Sequence, residues 1–159
     1  MDYKIREIYK DEISILYDFL YEAIFIPKGV EKPSRDIINE PELQIYIKDF
    51  GTKRGDYCLV AEVENKIVGA AWSRIINDYG HIDNETPSLS ISLYNEYRGL
   101  GIGTELMNQL LDLLKNKGFK QSSLSVQKAN YASKMYRKLG FEIVRENDEE
   151  YVMAIKLDC

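Results

Sequence analysis

The sequence predicts a single-domain α/β (α+β) fold over residues 1–159, with a twisted mixed sheet of about six to seven strands flanked by about four helices. Two observations support this fold class. A short turn joins the early strand-like runs and makes them antiparallel neighbours, whereas helical patterns separate the later runs and allow parallel pairing. A length of 159 residues also suits one domain that buries its own core.

The N-terminal third predicts a short strand followed by two helices. Residues 3–8 alternate between apolar and polar side chains, as a short strand does. Apolar side chains recur at helical spacing over residues 11–24, and the prolines and glycine of residues 26–40 predict an irregular connection. A proline opens and a glycine closes a second predicted helix over residues 41–51.

The middle of the chain predicts three strands and a loop. Residues 57–63 and 67–76 are nearly continuous apolar runs on either side of a Glu-Asn-Lys turn, which is typical of interior strands covered on both faces. Residues 77–87 are polar and predict a loop. Residues 88–94 predict a strand that leads into a glycine-rich turn.

The last third predicts two helices, a strand between them and a final hairpin. A stripe of leucine and methionine marks a helix over residues 103–117, and a second helical pattern covers residues 131–139. Residues 121–126 predict the strand between these helices. The hairpin pairs residues 141–145 with residues 151–156 around an acidic turn.

The composition excludes several classes of function. The formal net charge is −5, and Lys and Arg are scattered among acidic residues, so we expect no basic face for nucleic acid. The longest apolar run is about six residues, far shorter than a membrane span, and the first residues lack the apolar stretch of a signal peptide. We therefore expect neither nucleic acid nor a membrane as a partner.

Histidine and cysteine are scarce, which narrows the chemistry further. His81, Cys58 and Cys159 are the only residues of these types, so one chain cannot assemble a Cys/His zinc site, and we expect no metal. A nucleophilic triad would depend on His81, and no Gly-x-Ser-x-Gly segment presents a serine. Two cysteines so far apart predict reduced thiols and a cytoplasmic location. We expect acid–base groups to be carboxylates, tyrosines, backbone or water.

The strongest chemical signal is the segment Tyr-Arg-Gly-Leu-Gly-Ile-Gly-Thr at residues 97–104, between an apolar strand and an amphipathic helix. The N–H groups at a helix start lack intrahelical partners, and the macrodipole is positive there. Glycines remove the Cβ atoms that would hold an anion away, so the turn suits a pyrophosphate. Its three glycines exceed what a tight strand-to-helix turn requires.

Two other glycine-loop motifs do not fit this turn. A Walker loop requires lysine before Ser or Thr, whereas Thr104 directly follows Gly103. A dinucleotide-binding fingerprint requires glycine at Thr104 or Leu106 and an acidic residue about 20 residues further on, and neither is present. The remaining pattern is Arg-x-x-Gly-x-Gly, formed by Arg98, Gly101 and Gly103.

On these residues the sequence resembles the GNAT superfamily of acyl-CoA-dependent N-acyltransferases. The phosphate-binding turn of that family is Arg/Gln-x-x-Gly-x-Gly/Ala, which residues 98–103 match. Residues 130–141 resemble the family's segment that begins with Asn and ends with Gly-Phe, and Gly69 and Trp72 fit the strand before the turn. The resemblance covers about residues 57–145 and implies a GNAT-like fold and an N-acetyltransferase that uses acetyl-CoA.

The resemblance implies a set of CoA-binding residues. The N–H groups of the turn would hold the pyrophosphate, and the backbone of the preceding strand would pair with the pantetheine arm like an added strand. Asn130 would contact the CoA arm or cap its helix, and one residue can do both. The implied residues are Ile91, Ser92, Leu93, Arg98, Gly99, Leu100, Gly101, Ile102, Gly103, Thr104 and Asn130.

Tyr136 is the catalytic acid that the resemblance implies. Attack of an amine on the acetyl thioester expels a thiolate, and a thiol of pKa roughly 8.5 leaves more easily if it is protonated as it departs. A phenol near the sulfur can supply that proton. Tyr136 also shares one helical face with Ala132, Met135 and Leu139, so a core tyrosine with a satisfied hydroxyl is the alternative interpretation.

No motif identifies the base that takes the proton from the amine. Many members of the family have a glutamate near the strand before the turn, whereas here Ser88, Ser90 and Ser92 are its polar residues, which leaves room for a base that acts through water. The candidates, each of which also fits a solvated surface residue, are Glu22, Asp78, His81, Asp83 and Glu85.

The acceptor site is expected where the segment after the first helix meets the end of strand 67–76 and the 77–87 loop. Aromatic and acidic side chains there suit a cationic amine, whereas Arg74 suits an acceptor that carries a carboxylate. The expected lining residues are Tyr21, Glu22, Phe25, Trp72, Arg74 and Tyr79.

The leading interpretation is direct acetyl transfer from acetyl-CoA to the primary amine of a small molecule in a ternary complex. A protein N-terminal or lysine acetyltransferase is the alternative within the enzyme class. Outside the enzyme class there are two alternatives, a nucleotide-binding regulatory domain and a catalytically silent acyl-CoA-binding module. The first is weakened because this sequence lacks the third glycine of the dinucleotide fingerprint and the acidic residue that would bind the ribose. Asn130 and Tyr136 argue against the silent module. Dimers are frequent in the family, so a homodimer is a further expectation.

Overall fold

The fold is described for residues 2–157 in a computed structural model, in which seven strands form one sheet. The strands are β1 Lys4–Glu7, β2 Tyr57–Val63, β3 Lys66–Arg74, β4 Ser88–Leu93, β5 Gln121–Gln127, β6 Glu142–Glu146 and β7 Glu150–Lys156. The helices are α1 Leu16–Ala23, α2 Pro41–Gln44, α3 Ile102–Asn116 and α4 Ala132–Leu139. Short 3₁₀ helices cover Lys10–Ile15, Arg35–Asn39 and Asn95–Tyr97.

The sheet is mixed, with the strand order β1-β2-β3-β4-β5-β7-β6. Within residues 2–157, β4 and β5 are parallel neighbours and the other adjacent pairs are antiparallel. The predicted mixed sheet of about six to seven strands with about four helices is therefore confirmed, with seven strands and four helices. Its strand boundaries lie within two residues of the predicted ones.

The parallel pair is short, and this shapes the molecule. β4 and β5 share one paired position, Ser88 with Ser123, and then separate. On its other edge β4 stays paired with β3 from Ser88 to Leu93. Among the described residues, one backbone edge of β4 therefore has no neighbouring strand over most of its length, which leaves a wedge-shaped opening in the sheet.

Helices cover both faces of the sheet, because each presents an apolar stripe. On one face α3 buries Leu106, Met107, Leu110 and Leu114 completely, in a core shared with β2, β3 and β5. On the other face α1 contributes Phe19 to a second core. These two cores hold the edges of the wedge in place from opposite sides.

Two helices are shorter than the sequence predicts, and tertiary contacts account for the difference. The helix expected over residues 11–24 begins as a 3₁₀ helix, where the Glu12 carboxylate accepts the Tyr9 N–H (2.8 Å) and two bonds from Arg6 (both 2.9 Å). The helix expected over residues 41–51 is α-helical only to Gln44. Its next carbonyl oxygens accept side-chain bonds from β3, since Arg74 donates to Ile45 and Trp72 donates to Tyr46, both at 3.2 Å.

Of the two cysteines, the structure describes Cys58. Cys58 is a free thiol in the second core, and burial raises its pKa above the usual range. A buried protonated thiol of this kind is chemically inert. Cys159 lies outside the described residues.

Candidate active site

The wedge between β4 and β5 opens into a cavity of about 1110 Å³. Its walls come from α1 and the segment after it, β4, the glycine-rich turn, β5 and the start of α4. Leu100 and Ile102 do not line it, since one side chain is exposed and the other lies in the core. The predicted CoA-binding residues that do are Ile91, Ser92, Leu93, Arg98, Gly99, Gly101, Gly103, Thr104 and Asn130.

The glycine-rich turn has the backbone geometry of an anion site. Gly101 has a φ of 88°, in the left-handed region that glycine adopts without strain. The Glu105 N–H donates to the Gly101 carbonyl at 3.2 Å, which is the first bond of α3. The N–H groups of residues 102–104 therefore have no intrahelical partner and can bind an anion such as a pyrophosphate.

The Arg98 side chain ties this turn to two neighbouring elements. Its Nε donates to the Leu93 carbonyl at the end of β4 (2.9 Å). A terminal nitrogen donates to both the carbonyl and the carboxylate of Glu22 at the end of α1 (3.3 Å each). The guanidinium thus positions the turn against β4 and α1, and Glu22 is its counter-ion at the cavity wall.

β4 offers its backbone at this wall, whereas the Ser92 hydroxyl is already bonded. Ser92 is 7% exposed, and its Oγ donates to the Phe19 carbonyl at 2.6 Å. Ile91 and Leu93 line the cavity from the edge of β4 that has no neighbouring strand. This edge can accept an extended chain with amide groups, as a sheet edge accepts a strand.

Tyr136 faces the cavity from α4. Its side chain packs edge-on against Phe141 with 6.0 Å between ring centroids, and the residue is only 8% exposed. Its hydroxyl has no hydrogen-bond partner among residues 2–157. No fully buried side-chain oxygen lacks a partner in that part of the chain, so this hydroxyl reaches the open space of the cavity.

The environment of Tyr136 keeps its phenol protonated. Burial raises the pKa of the hydroxyl to about 12. A core tyrosine would have a satisfied hydroxyl, and that partner is absent from the described residues. The arrangement can donate a proton to a group placed in the cavity.

Asn130 caps the start of a helix and also lines the cavity. Its Oδ1 accepts the Ala132 N–H at 2.9 Å, which caps the start of α4. The residue also lines the cavity. Its Nδ2 has no partner within the described residues and remains available as a donor.

Two carboxylates lie at the end of the cavity away from the turn. Asp78 follows β3, and its two oxygens accept the Tyr46 hydroxyl (2.8 Å) and the Ser88 hydroxyl (3.4 Å). Glu150 begins β7 and has no side-chain partner within residues 2–157. Partial burial, together with the nearby Glu149 and Asp78 carboxylates, raises the pKa of Glu150. Burial and Asp78 also raise the pKa of Tyr46.

Sequence reasoning did not identify Tyr46 or Glu150. Tyr46 lies within the segment predicted as the second helix, and Glu150 is one of several acidic residues in a predicted turn. Neither residue belongs to a motif. The pairing of β5 with β7, which sets Gln127 opposite Glu150, brings that carboxylate to the wedge.

Two expected acceptor-site residues belong to the core instead. Trp72 is 1% exposed, packs in the second core and does not line the cavity. Arg74 forms a buried ion pair with Asp56, with its Nε 3.0 Å from Oδ1 and a terminal nitrogen 3.1 Å from Oδ2. The apolar β3 run is covered on both faces, so neither side chain is free to bind an acceptor.

The 77–87 loop is also only partly at the cavity. Tyr79 does not line it, and its ring lies against the Arg145 guanidinium, 5.1 Å from the ring centroid. The Nδ1 of His81 contacts the Ile76 carbonyl (2.8 Å). Asp83 binds the Thr86 hydroxyl, which lowers its pKa, and Glu85 pairs with Arg54. Of the expected acceptor and base residues, those that line the cavity are Tyr21, Glu22, Phe25 and Asp78.

Residues 2–157 form neither a metal-binding group of side chains nor a helix that could span a membrane. Over residues 2–157, no three His, Cys, Asp or Glu side chains are grouped in a way that would hold a metal ion. No helix in that part of the chain has the length and apolar character needed to cross a membrane.

Known proteins are similar to this chain in sequence. The model of the Acetyltransferase (GNAT) family matches residues 17–141. A probable N-acetyltransferase camello of Xenopus tropicalis is 33% identical over 86 residues, or 52% of this chain and 37% of its own. A [ribosomal protein bS18]-alanine N-acetyltransferase of Haemophilus influenzae is 32% identical over 100 residues, or 60% of this chain and 64% of its own. The chain thus spans less than two thirds of either relative.

Solved structures show the same fold. The PaiA N-acetyltransferase of Thermoplasma acidophilum, in complex with coenzyme A, superposes with a TM-score of 0.72 and 20% identity over 98% of this chain and 99% of its own. YncA of Salmonella typhimurium, with acetyl-CoA, gives a TM-score of 0.70 and 17% identity over 100% of this chain and 96% of its own. The chain belongs to the Acetyltransferase (GNAT) family, whose members are acyltransferase enzymes.

Proposed function

We propose that this chain transfers the acetyl group of acetyl-CoA directly to the primary amine of a small molecule within a ternary complex. One observation carries the proposal: the unpaired N–H groups of the turn and the unpartnered Tyr136 hydroxyl meet the same cavity. The first suits the pyrophosphate of CoA and the second suits its departing thiolate.

The acyl donor would lie along the wedge. The N–H groups of residues 102–104 would bind the pyrophosphate, and the free edge of β4 at Ile91 and Leu93 would pair with the amides of the pantetheine arm. This path leads from the turn towards β5 and α4. It brings the thioester near Tyr136 and leaves the acidic end of the cavity for the acceptor.

The chemical step would be a direct displacement. The amine nitrogen forms a bond to the acetyl carbonyl carbon as the carbon–sulfur bond breaks, and Tyr136 gives its proton to the departing sulfur. Before attack the cationic amine loses one proton through water to a carboxylate at the other end of the cavity, because only the neutral amine has a lone pair. After attack its nitrogen releases a second proton to water. Glu150 is the better final acceptor, since its carboxylate has no side-chain partner within residues 2–157, whereas Asp78 already accepts the Tyr46 hydroxyl.

The lining of the cavity favours a small cationic amine. Residues 24–26, 32 and 33 are part of this lining, and the Tyr21 hydroxyl holds their segment by donating to the Pro33 carbonyl at 2.6 Å. Carboxylates beside aromatic rings suit a cationic amine. A second candidate, acetylation of a protein α-amine, is favoured by the names of relatives such as the ribosomal-protein alanine N-acetyltransferase and the archaeal N-alpha-acetyltransferases.

The first experiment is a thermal shift with acetyl-CoA, CoA, NAD and ATP, followed by thiol release with a panel of amines. A ligand at about 100 times its Kd adds about 2.7 kcal/mol to the free energy of unfolding, which raises Tm by roughly 5 to 10 °C for a chain of this size. We expect this shift with the CoA species alone. The absence of a shift with either CoA species would contradict the proposal. Turnover of short peptides but not of small amines would instead support the second candidate, acetylation of a protein α-amine.

Replacing Glu150 with glutamine should remove the acidic limb of the pH profile. Because the pKa of Glu150 is raised, the wild-type carboxylate loses its charge as pH falls through that pKa, and kcat/KM should fall with it. In Glu150→Gln we expect kcat/KM at neutral pH to drop about 100-fold without that limb. Glu142→Gln, an exposed change of the same charge on β6, is the control. An unchanged limb in Glu150→Gln excludes Glu150 as the base.

Two further predictions from the sequence stay predictions: the homodimer and the cytoplasmic location.

A further inference from the structure

The charged side chains that line the cavity fall into two groups. Glu22 and Arg98 pair with each other, and the Asp78 carboxylate accepts two hydroxyl groups. The other two charged residues of the lining are Lys32 and Glu150. Within residues 2–157, neither charged group has a hydrogen-bond or ion-pair partner, and the two do not pair with each other. The cavity therefore presents one unpaired cation and one unpaired anion.

These two charges come from different sides of the wedge. Lys32 belongs to the segment after α1, and α1 is bound to β4 by the hydrogen bond that the Ser92 hydroxyl donates to the Phe19 carbonyl. Glu150 begins β7, which pairs with β5. Because β4 and β5 are the two sides of the wedge, a ligand in the cavity meets an ammonium group from the β4 side and a carboxylate from the β5 side.

The segment that carries Lys32 is tied to α1 at two places. The Tyr21 hydroxyl donates to the carbonyl of the next residue, Pro33, at 2.6 Å. Arg35 pairs with the Asp18 carboxylate, and its guanidinium lies 5.0 Å from the centroid of the Tyr21 ring. Lys32 itself is exposed. Its backbone is therefore held in place, while its ammonium group is free to bind an anion as a point charge.

We propose that Lys32 determines the acceptor specificity, and that the acceptor is an amino carboxylate whose carboxylate binds the Lys32 ammonium group while its amine faces Glu150. This inference rests on the proposed function, since it names the class of amine that the same cavity would take. A molecule with both charges matches both unpaired groups of the cavity. A plain amine leaves Lys32 without an anion, and a diamine places a like charge beside it. Lys32 binds and orients the acceptor and takes no part in proton transfer.

The test measures kcat/KM by thiol release from acetyl-CoA for glycine, β-alanine, 4-aminobutanoate and 6-aminohexanoate, each paired with its own carboxamide. Any difference in amine pKa within a pair is the same for every protein variant, so a change in the carboxylate-to-carboxamide ratio between variants reports on Lys32. For at least one chain length, this ratio should fall about three- to fivefold in Lys32→Gln and further in Lys32→Glu, because the lysine is exposed. High salt should lower the wild-type ratio for the same reason.

The control is Lys28→Gln, which removes the same charge from an exposed lysine of the same segment that does not line the cavity. It should keep the wild-type ratio at every chain length. A ratio that is unchanged in Lys32→Gln throughout the series overturns the inference. So does a wild-type protein that binds acetyl-CoA but turns over none of the carboxylates. Failure of the wild-type protein to bind acetyl-CoA instead overturns the proposed function itself.

Discussion

Tyr136→Phe should lower kcat about 100- to 1000-fold while the Kd for acetyl-CoA changes by less than about twofold. The substitution removes the proton donor and leaves the ring against Phe141, so the shape of the cavity is unchanged. The lost hydroxyl has no hydrogen-bond partner within residues 2–157, so we expect little change in the free energy of unfolding. Steady-state kinetics and calorimetric binding measure the two effects separately.

The matched control is Tyr57→Phe. Tyr57 is a half-buried tyrosine that, like Tyr136, packs edge-on against a phenylalanine, Phe119, with 6.3 Å between ring centroids, but it lies on β2 outside the cavity. Its kcat should equal that of the wild-type protein. Turnover by Tyr136→Phe at the wild-type rate would remove Tyr136 from the mechanism.

The pH dependence provides a second check on Tyr136. Because burial raises its pKa to about 12, the phenol keeps its proton at neutral and mildly alkaline pH. The acid form is lost only as pH rises towards that value. The alkaline side of the kcat profile should therefore stay flat to about pH 10, unlike that of an acid with the ordinary tyrosine pKa of about 10.

Gly103→Leu should abolish the thermal shift with acetyl-CoA while the protein remains folded. Gly103 lies in the first turn of α3 and lines the cavity. A Cβ there would lie 3.4 Å from the nearest carbon of Leu93 and 3.8 Å from the Met135 sulfur, which are ordinary contacts. The backbone therefore accepts a side chain, but a leucine extends into the space where the pyrophosphate would lie.

Two variants calibrate this result. Gly103→Ala adds only the Cβ and should keep most of the shift, whereas Gln109→Leu adds an apolar side chain to an exposed position of α3 outside the cavity and should keep all of it. Circular dichroism confirms folding in each case. A full shift with acetyl-CoA in Gly103→Leu would show that the ligand does not occupy the turn.

The parts of the site that the sequence predicts well are those made by one continuous segment. Residues 98–104 combine a glycine pattern with a helix start, and both properties depend only on neighbouring backbone atoms. The burial of Tyr136 also follows from its helical face. Its missing hydrogen-bond partner does not, because that absence depends on what β4 and β5 place nearby.

The two residues that were expected in the acceptor site but lie in the core were misplaced for a common reason. Trp72 and Arg74 lie on a strand whose two faces are both covered, and sequence alternation cannot tell which neighbour each side chain meets. Arg74 is held by Asp56, a partner 18 positions away in the chain. The second helix is cut short by the same two side chains, which bind the carbonyls of Ile45 and Tyr46.

By itself, the sequence determined the mixed sheet, the glycine-rich turn before α3 and the family, because periodicity, glycine placement and helix starts act over a few neighbouring residues. Only the tertiary structure decided which carboxylates reach the cavity. Asp78 and Glu150 are separated by 71 intervening residues, and they approach because β5 pairs with β7 on one side of the wedge while β3 pairs with β4 on the other. Their shared environment raises the pKa of Glu150, a property that belongs to the fold and to no segment of the chain.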